Sequence, residues 1–169
     1  MSRDKKPEEE FKELPLALRE TIRLSEATFR LISDETVFPK KSRWMMSHEM
    51  SKITNRVHTA AMFANGIDVD KAIDAERPIL YLVRMIALAL ALAWMHALDA
   101  KMSLSLDVLN TNANKYEVWG RQYLKTRHCM QNWRRADAKR YSERYGNIKT
   151  IGARGIAAIA AKIIDGIIG

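Results

Sequence analysis

From Ile79 to Leu98 the chain carries one formal charge, Arg84, with His96 the next candidate, and the run from Met85 to Met95 is apolar without interruption. No apolar and polar alternation breaks the segment, so a strand with one wet face is excluded and a helix apolar nearly all the way round is required. A chain of 169 residues with 47% hydrophobic content can build one core, but three neighbouring helices do not easily cover such a helix in so small a domain. The Leu and Ala excess therefore points to a subunit interface over the remainder. A membrane span is the rival reading, disfavoured because the uninterrupted run falls short of the roughly 20 residues a bilayer requires.

The rest of the chain reads as helix too, since every glycine but Gly120 lies at a junction or in the tail. A first helix is expected from Pro15 to Ser33 with Leu18, Ile22, Phe29 and Ile32 buried, the proline standing where a missing amide proton matters least. Asp34 to Pro39 breaks it. Ser42 is the expected N-cap of a second helix, in which Met46, Met50, Ile53, Val57, Ala60 and Ala64 recur at spacings of three and four. Asn65 and Gly66 end it. Its opposite face carries His48, Lys52, Arg56 and Thr59, and no carboxylate or cysteine stands at ligand spacing from His48 or His58, so no metal site is expected. The third helix is expected to start between Asp68 and Asp74, with acids in its first turn and Pro78 tolerated only if the start is late, and to end near Leu98 to Lys101. The fourth starts between Ser103 and Asn114, with a break at Asn110 to Asn114, and ends by Gly146.

The fold class is therefore all-α, an antiparallel four-helix bundle over residues 14–146, preceded by a charged arm over 1–13 and followed by an extra helical tail over 147–169. In the tail, Ile151, Ile156, Ile159, Ile163, Ile164, Ile167 and Ile168 are interspersed with Ala and Gly. That composition suits a helix on a membrane surface or in a partner's groove; packing on the bundle itself or across an oligomer is favoured because internal glycines weaken an isolated helix.

The fourth helix carries the charge. Between Lys115 and Arg144 nine basic residues face three acidic ones, Glu117, Asp137 and Glu143, so this stretch supplies six of the eight net positive charges. At helical spacing Tyr116, Trp119, Tyr123, Met130 and Trp133 fall on one side, and Arg121, Lys125, His128, Arg135 and Lys139 on another. Like charges one turn apart repel by about 0.2–0.5 kcal/mol per pair, a strain that a polyanion would relieve. Two readings stay open: a solvated basic face kept for solubility, and a phosphate-tracking surface whose affinity falls with salt. Tyr141 and Tyr145 lie past the expected core and are read as base-stacking or surface residues. The single cysteine, Cys129, cannot close an intrachain disulfide, and beside His128 on a helix it lacks a base in reach, so it is read as structural.

Phe38-Pro39-Lys40-Lys41-Ser42-Arg43-Trp44 leading into a helix, an Ala-rich third helix with Leu82-Val83-Arg84 at its centre, and Trp133 followed by Arg134-Arg135 near the end of the fourth helix resemble the accessory variability determinant family. These are small four-helix proteins of diversity-generating retroelements, and the resemblance covers about residues 20 to 140. It implies a homopentameric, strongly basic barrel that binds RNA or DNA and docks a reverse transcriptase during error-prone copying of a template RNA, with no catalytic role and no cofactor of its own. The length of the arm and tail and the Asn-rich joint depart from that pattern.

The nucleic-acid-binding candidates are Lys40, Lys41 and Arg43 at the turn into the second helix, and Arg121, Lys125, Arg127, Arg134, Arg135, Lys139 and Arg140 on the fourth. A nucleic-acid-binding reverse-transcriptase accessory leads; a structural bundle meeting an acidic protein is the alternative. An enzyme is not expected, since no acid pair, metal cluster or Gly-rich phosphate loop stands at working spacing. Residues 1–20 are dominated by Lys, Glu and Asp, so no signal peptide is expected and the protein is placed in the cytoplasm.

Overall fold

A computed structural model describes residues 11–74, 76–109 and 114–145, with the side chains of residues 41–45, 115, 142, 144 and 145 excepted. Four long helices account for nearly all of it: α1 (Leu16–Ser33), α2 (Lys40–Gly66), α3 (Arg77–Leu109) and α4 (Asn114–Tyr145). No strand occurs among the described residues. The expected tail helix and the Asn110 to Ala113 part of the expected break lie outside them.

Each helix packs against two others, α1 on α2, α2 on α3, α3 on α4 and α4 back on α1. The contacts run in opposite senses along three of these seams. Thr28 meets Trp119 while Glu20 meets Gln122 and Thr126 on α1 and α4. Arg84 meets Asp137 while Ser105 meets Tyr116 on α3 and α4. Arg84 reaches the carbonyl of Ala64 while Met46 and Leu104 share a cavity wall on α2 and α3.

The α1 boundaries are those expected, but its buried face is not. Phe29 is 39% exposed and Ile22 half-buried, whereas Leu18, Thr21, Leu24, Thr28, Leu31 and Ile32 are buried. Thr21 and Thr28 can be buried because each hydroxyl bonds a carbonyl of its own helix, Leu18 and Leu24 respectively. Hydrophobicity alone hides such a face.

Asp34 builds the turn that follows: its carboxylate accepts from the Thr36 amide at 2.8 Å, and its carbonyl accepts from the amides of Val37 and Phe38. Helix α2 then begins at Lys40 with Pro39 as N-cap, three residues ahead of the capping role expected of Ser42. It ends at Gly66 as the Asn-Gly pair implied. Met50, Ile53, Val57, Ala60 and Ala64 are buried, joined by Thr54 and Ala61.

Helix α3 differs most from expectation. It starts later, at Arg77, which places Pro78 in the first turn where it is tolerated, and it runs on to Leu109, well past the expected end. Ser105 continues the buried face because its hydroxyl bonds the Met102 carbonyl and the Tyr116 hydroxyl. Ala87, Leu88, Ala91, Leu92, Met95 and Leu98 are buried between α2 and α4, while Val83, Met85, Ile86 and Leu90 stay half-exposed and Leu104 and Val108 exposed. By length and composition α3 is one helix long and apolar enough to cross a membrane; a helix packed between two others has the same composition.

The one charge in the apolar run has a structural task. Arg84 donates to the Asp137 carboxylate at 2.6 Å and to the carbonyls of Ala64 and Ile67 at the end of α2, with its guanidinium 5.4 Å from the centre of the Trp133 ring. It satisfies terminal carbonyls of one helix, neutralises a buried acid of another, and so ties three helices at one end of the fold.

Candidate nucleic-acid interface

Helix α4 is helical through the whole basic stretch, up to Tyr145. Its buried side chains recur at three and four: Tyr116, Trp119, Tyr123, Thr126, Met130, Asp137 and Tyr141, with Trp133 half-buried. Tyr141 corrects the sequence reading. It is 2% exposed, its ring 5.2 Å from Tyr81, and forms a small second core with Val69, so it is not available to stack on bases. The side chain of Tyr145 lies outside the described residues.

With that face buried, Arg121, Lys125, His128, Arg134, Arg135, Lys139 and Arg140 are exposed. From Arg121 to Arg140 the helix rises roughly 29 Å. The charges do not form one stripe, however. A groove of 400 Å³ on the α1 side is lined by Arg121, Lys125, Gln122 and Val118 from α4 and by Arg23, Ala27, Arg30 and Glu26 from α1. A cleft of 540 Å³ on the α3 side is lined by Gln131, Arg134, Arg135 and Ala138 and by Met85, Ala89, Leu92, Ala93 and His96. Arg23 and Arg30 were not among the sequence candidates. Their spacing from each other, seven residues on one helix, is the signal the sequence offers for them.

The candidates differ in how committed they are. Lys125 lies 3.2 Å from the Glu20 carboxylate, which is fully buried and also takes Arg23 at 2.7 Å and the Gln122 amide at 2.9 Å. Burial alone would push Glu20 up, but these hydrogen bonds and the charges of Lys125 and Arg23 hold its carboxyl below the usual carboxylate range. Lys125 thus anchors a seam as well as facing solvent. Arg121 sits 3.8 Å from Glu117 in an exposed pair of little energetic weight. Arg127 is half-buried with its Nε enclosed and unbonded, so it does not belong to the exposed face. Arg140 is exposed beside the Tyr141 hydroxyl, whose proximity raises the guanidinium above its usual range. Among the described residues neither Arg134 nor Arg135 is held in an ion pair.

Lys40 opens α2, exposed, 3.9 Å from Glu35; Lys41 and Arg43 stand in the same first turns, their side chains outside the described residues. Phe38, just before them, packs 6.4 Å from the Tyr116 ring, so this basic turn adjoins the start of α4 and is far from Arg134 to Arg140. The candidates other than Arg127 are strung along the fold rather than gathered at one point, a layout suited to an extended polyanion more than to a small ligand.

Cys129 packs half-buried against the core, where burial and the Glu20 charge push its thiol up, away from the thiolate form. His58, half-buried beside the Thr21 hydroxyl at 3.0 Å, is pushed down by burial and is kept neutral at pH 7. Among the described residues no three His, Cys, Asp or Glu side chains gather as a metal site. No protein-family model, curated protein or solved structure matches the chain.

Proposed function

We propose that the protein is a basic antiparallel four-helix bundle that binds nucleic acid through the backbone phosphates along α4. The observation that carries this reading is the exposed cationic length of α4 from Arg121 to Arg140, bordered on one side by Arg23 and Arg30 and on the other by a cleft whose lining contains no acid among the described residues. Phosphates spaced along a strand match charges spaced along a helix, and the gain comes from released counterions.

Resemblance to the accessory variability determinant proteins extends the proposal: the chain assembles as a homo-oligomer, a pentamer in that family, and assists a reverse transcriptase in mutagenic copying without catalysing a step itself. Leu104 and Val108, exposed on α3 beside the buried Met102 and Ser105, and the half-covered Val83, Ile86 and Leu90 support an oligomer. A second reading is favoured by one feature. Val118 and Leu124, 66% and 61% exposed amid the cationic residues, suit an acidic protein partner better than a phosphate chain.

The test is a salt titration of binding to labelled RNA and DNA duplexes, with a variant in which Arg121, Arg134, Arg135 and Lys139 are changed to Gln. Binding that weakens as salt rises, and falls by at least tenfold in the variant, supports the nucleic-acid reading. Weak binding by both proteins at low salt sinks it and leaves the acidic-protein partner.

A further inference from the structure

The cleft between α3 and α4 is unlike the rest of the basic surface. Its floor is apolar and low: Ala89 and Ala93, one helical turn apart on α3, face Ala138 on α4, with Met85 and Leu92 beside them. Its rim is polar and cationic, made by Arg134, Arg135, Gln131 and His96. Its volume of 540 Å³ is within the range of small-ligand sites. A surface that meets only phosphates has no use for an apolar recess, and a helix seam that needed only stability would fill it with larger side chains.

We infer that this cleft receives an unstacked base of a single-stranded nucleic acid, while Arg134 and Arg135 hold the adjoining phosphates. The inference rests on the nucleic-acid reading above and adds a strandedness preference to it. Each part of the site has a use in that scheme. A flat heterocycle loses water against Ala89, Ala93 and Met85; guanidinium planes at the rim stack on bases or bridge phosphates. The Gln131 amide offers both a donor and an acceptor to a base edge. No acid lines the cleft to repel the strand, and neither arginine is occupied by an ion pair among the described residues. Bases in a duplex are stacked and paired and cannot enter, so the cleft discriminates single strands from duplexes without reading sequence strongly.

The experiment compares oligothymidylate of about twelve nucleotides, a length a single-strand groove of this kind accommodates, with an oligomer of the same phosphate number bearing abasic spacers, and with a DNA duplex. The full chain is tested beside Ala89→Leu/Ala93→Leu, which fills the cleft and leaves every charge in place. Ala93→Leu alone, at an exposed position, serves as the milder second variant, and helical circular dichroism checks folding of each. The expected result is binding of oligothymidylate about tenfold tighter than the spacer oligomer by the unaltered protein. The filled variant should bind the two equally, at the unaltered protein's affinity for spacer and with duplex binding unchanged. Equal binding of the two oligomers by the unaltered protein, or a full preference retained by both variants, overturns the base site while leaving phosphate binding intact. Failure to bind any of the three probes overturns the nucleic-acid reading and the base site together.

Discussion

The seams α2 to α3 and α1 to α4 join helices of the same fold by different physics. On α2 and α3 the buried apolar side chains include Met50, Ile53, Val57, Ala60, Ala61, Ala64, Ala87, Leu88 and Ala91, and the alanines among them let the helices approach closely. Between α1 and α4 the buried set includes Glu20, Thr28, Thr126 and Trp119. There the Trp119 indole donates to Thr28 at 2.9 Å, Thr126 donates to the Glu20 carbonyl at 3.0 Å, and Gln122 donates to its carboxylate. An apolar seam holds helices together with little directional demand. A polar one fixes their register, since every buried group must find its partner. The difference suits the proposed work of α4: the helix that presents charge is also the one positioned by hydrogen bonds, and the buried Glu20 offsets two of the cations, Arg23 and Lys125, beside the groove.

The sharpest way to break the contrast is at Arg84, the polar exception on the apolar side. Arg84→Ala leaves Asp137 buried without its cation and should lower unfolding free energy by about 3–5 kcal/mol. The double variant Arg84→Met/Asp137→Leu should recover most of that loss in urea denaturation, because the uncompensated charge is gone. A double variant as unstable as the single one would show that the bonds to Ala64 and Ile67, not the ion pair, carry the effect.

Next in size is Leu88→Ala, fully buried in the α2 to α3 seam, which should cost about 2–5 kcal/mol through lost burial and the space left behind. Such a loss should be nearly independent of pH. The α1 to α4 seam behaves otherwise. Glu20→Gln should cost about 1–3 kcal/mol at pH 7 by weakening bonds to a buried carboxylate. Because the folded Glu20 carboxyl lies below its ordinary value of 4.5, the stability it confers is present in full above that value and is lost as pH falls through the folded value. The gap between the parent and Glu20→Gln should therefore close below about pH 4.5, as read from denaturation midpoints. A gap that stays constant down to acid pH would mean that shape, not charge, holds this seam.

The two seams were also unequally legible in the sequence. The apolar one was readable from spacing: Met50, Ile53, Val57, Ala60 and Ala64 are where a three-and-four repeat of hydrophobic residues puts them, and so is the all-α class. The polar one was not, because burial of Thr28, Glu20 and Thr126 depends on partners roughly one hundred residues away or on a helix's own carbonyls. Hence hydrophobicity points to Phe29 as core, while the side chain actually buried beside it is Thr28. The late end of α3 is hidden for a related reason: Ser103 to Leu109 alternates polar and apolar residues rather than repeating at three and four, and only the bond of Ser105 to Tyr116 shows which side is inside. At the candidate interface the list of cations was readable, but their division into two grooves, the withdrawal of Arg127 and the burial of Tyr141 arise from where α1 and α3 lie against α4.

The smallest expected effect separates stability from binding on the face itself. Glu117 and Arg121 stand one turn apart, both exposed at 3.8 Å, and such a pair contributes at most about 1 kcal/mol to stability. Glu117→Gln should leave the denaturation midpoint almost unchanged. It also removes a negative charge from the cationic length of α4 and frees Arg121 to meet a phosphate. Under the proposed function, binding to duplex DNA at low salt should then tighten by about two- to fivefold, and the gain should shrink as salt screens the surface. Tighter binding with unchanged stability would place the phosphate path over the first turns of α4. Unchanged binding would move the path toward Arg134 to Arg140, where the cleft on the α3 side would have to hold the strand without help from the α1 side.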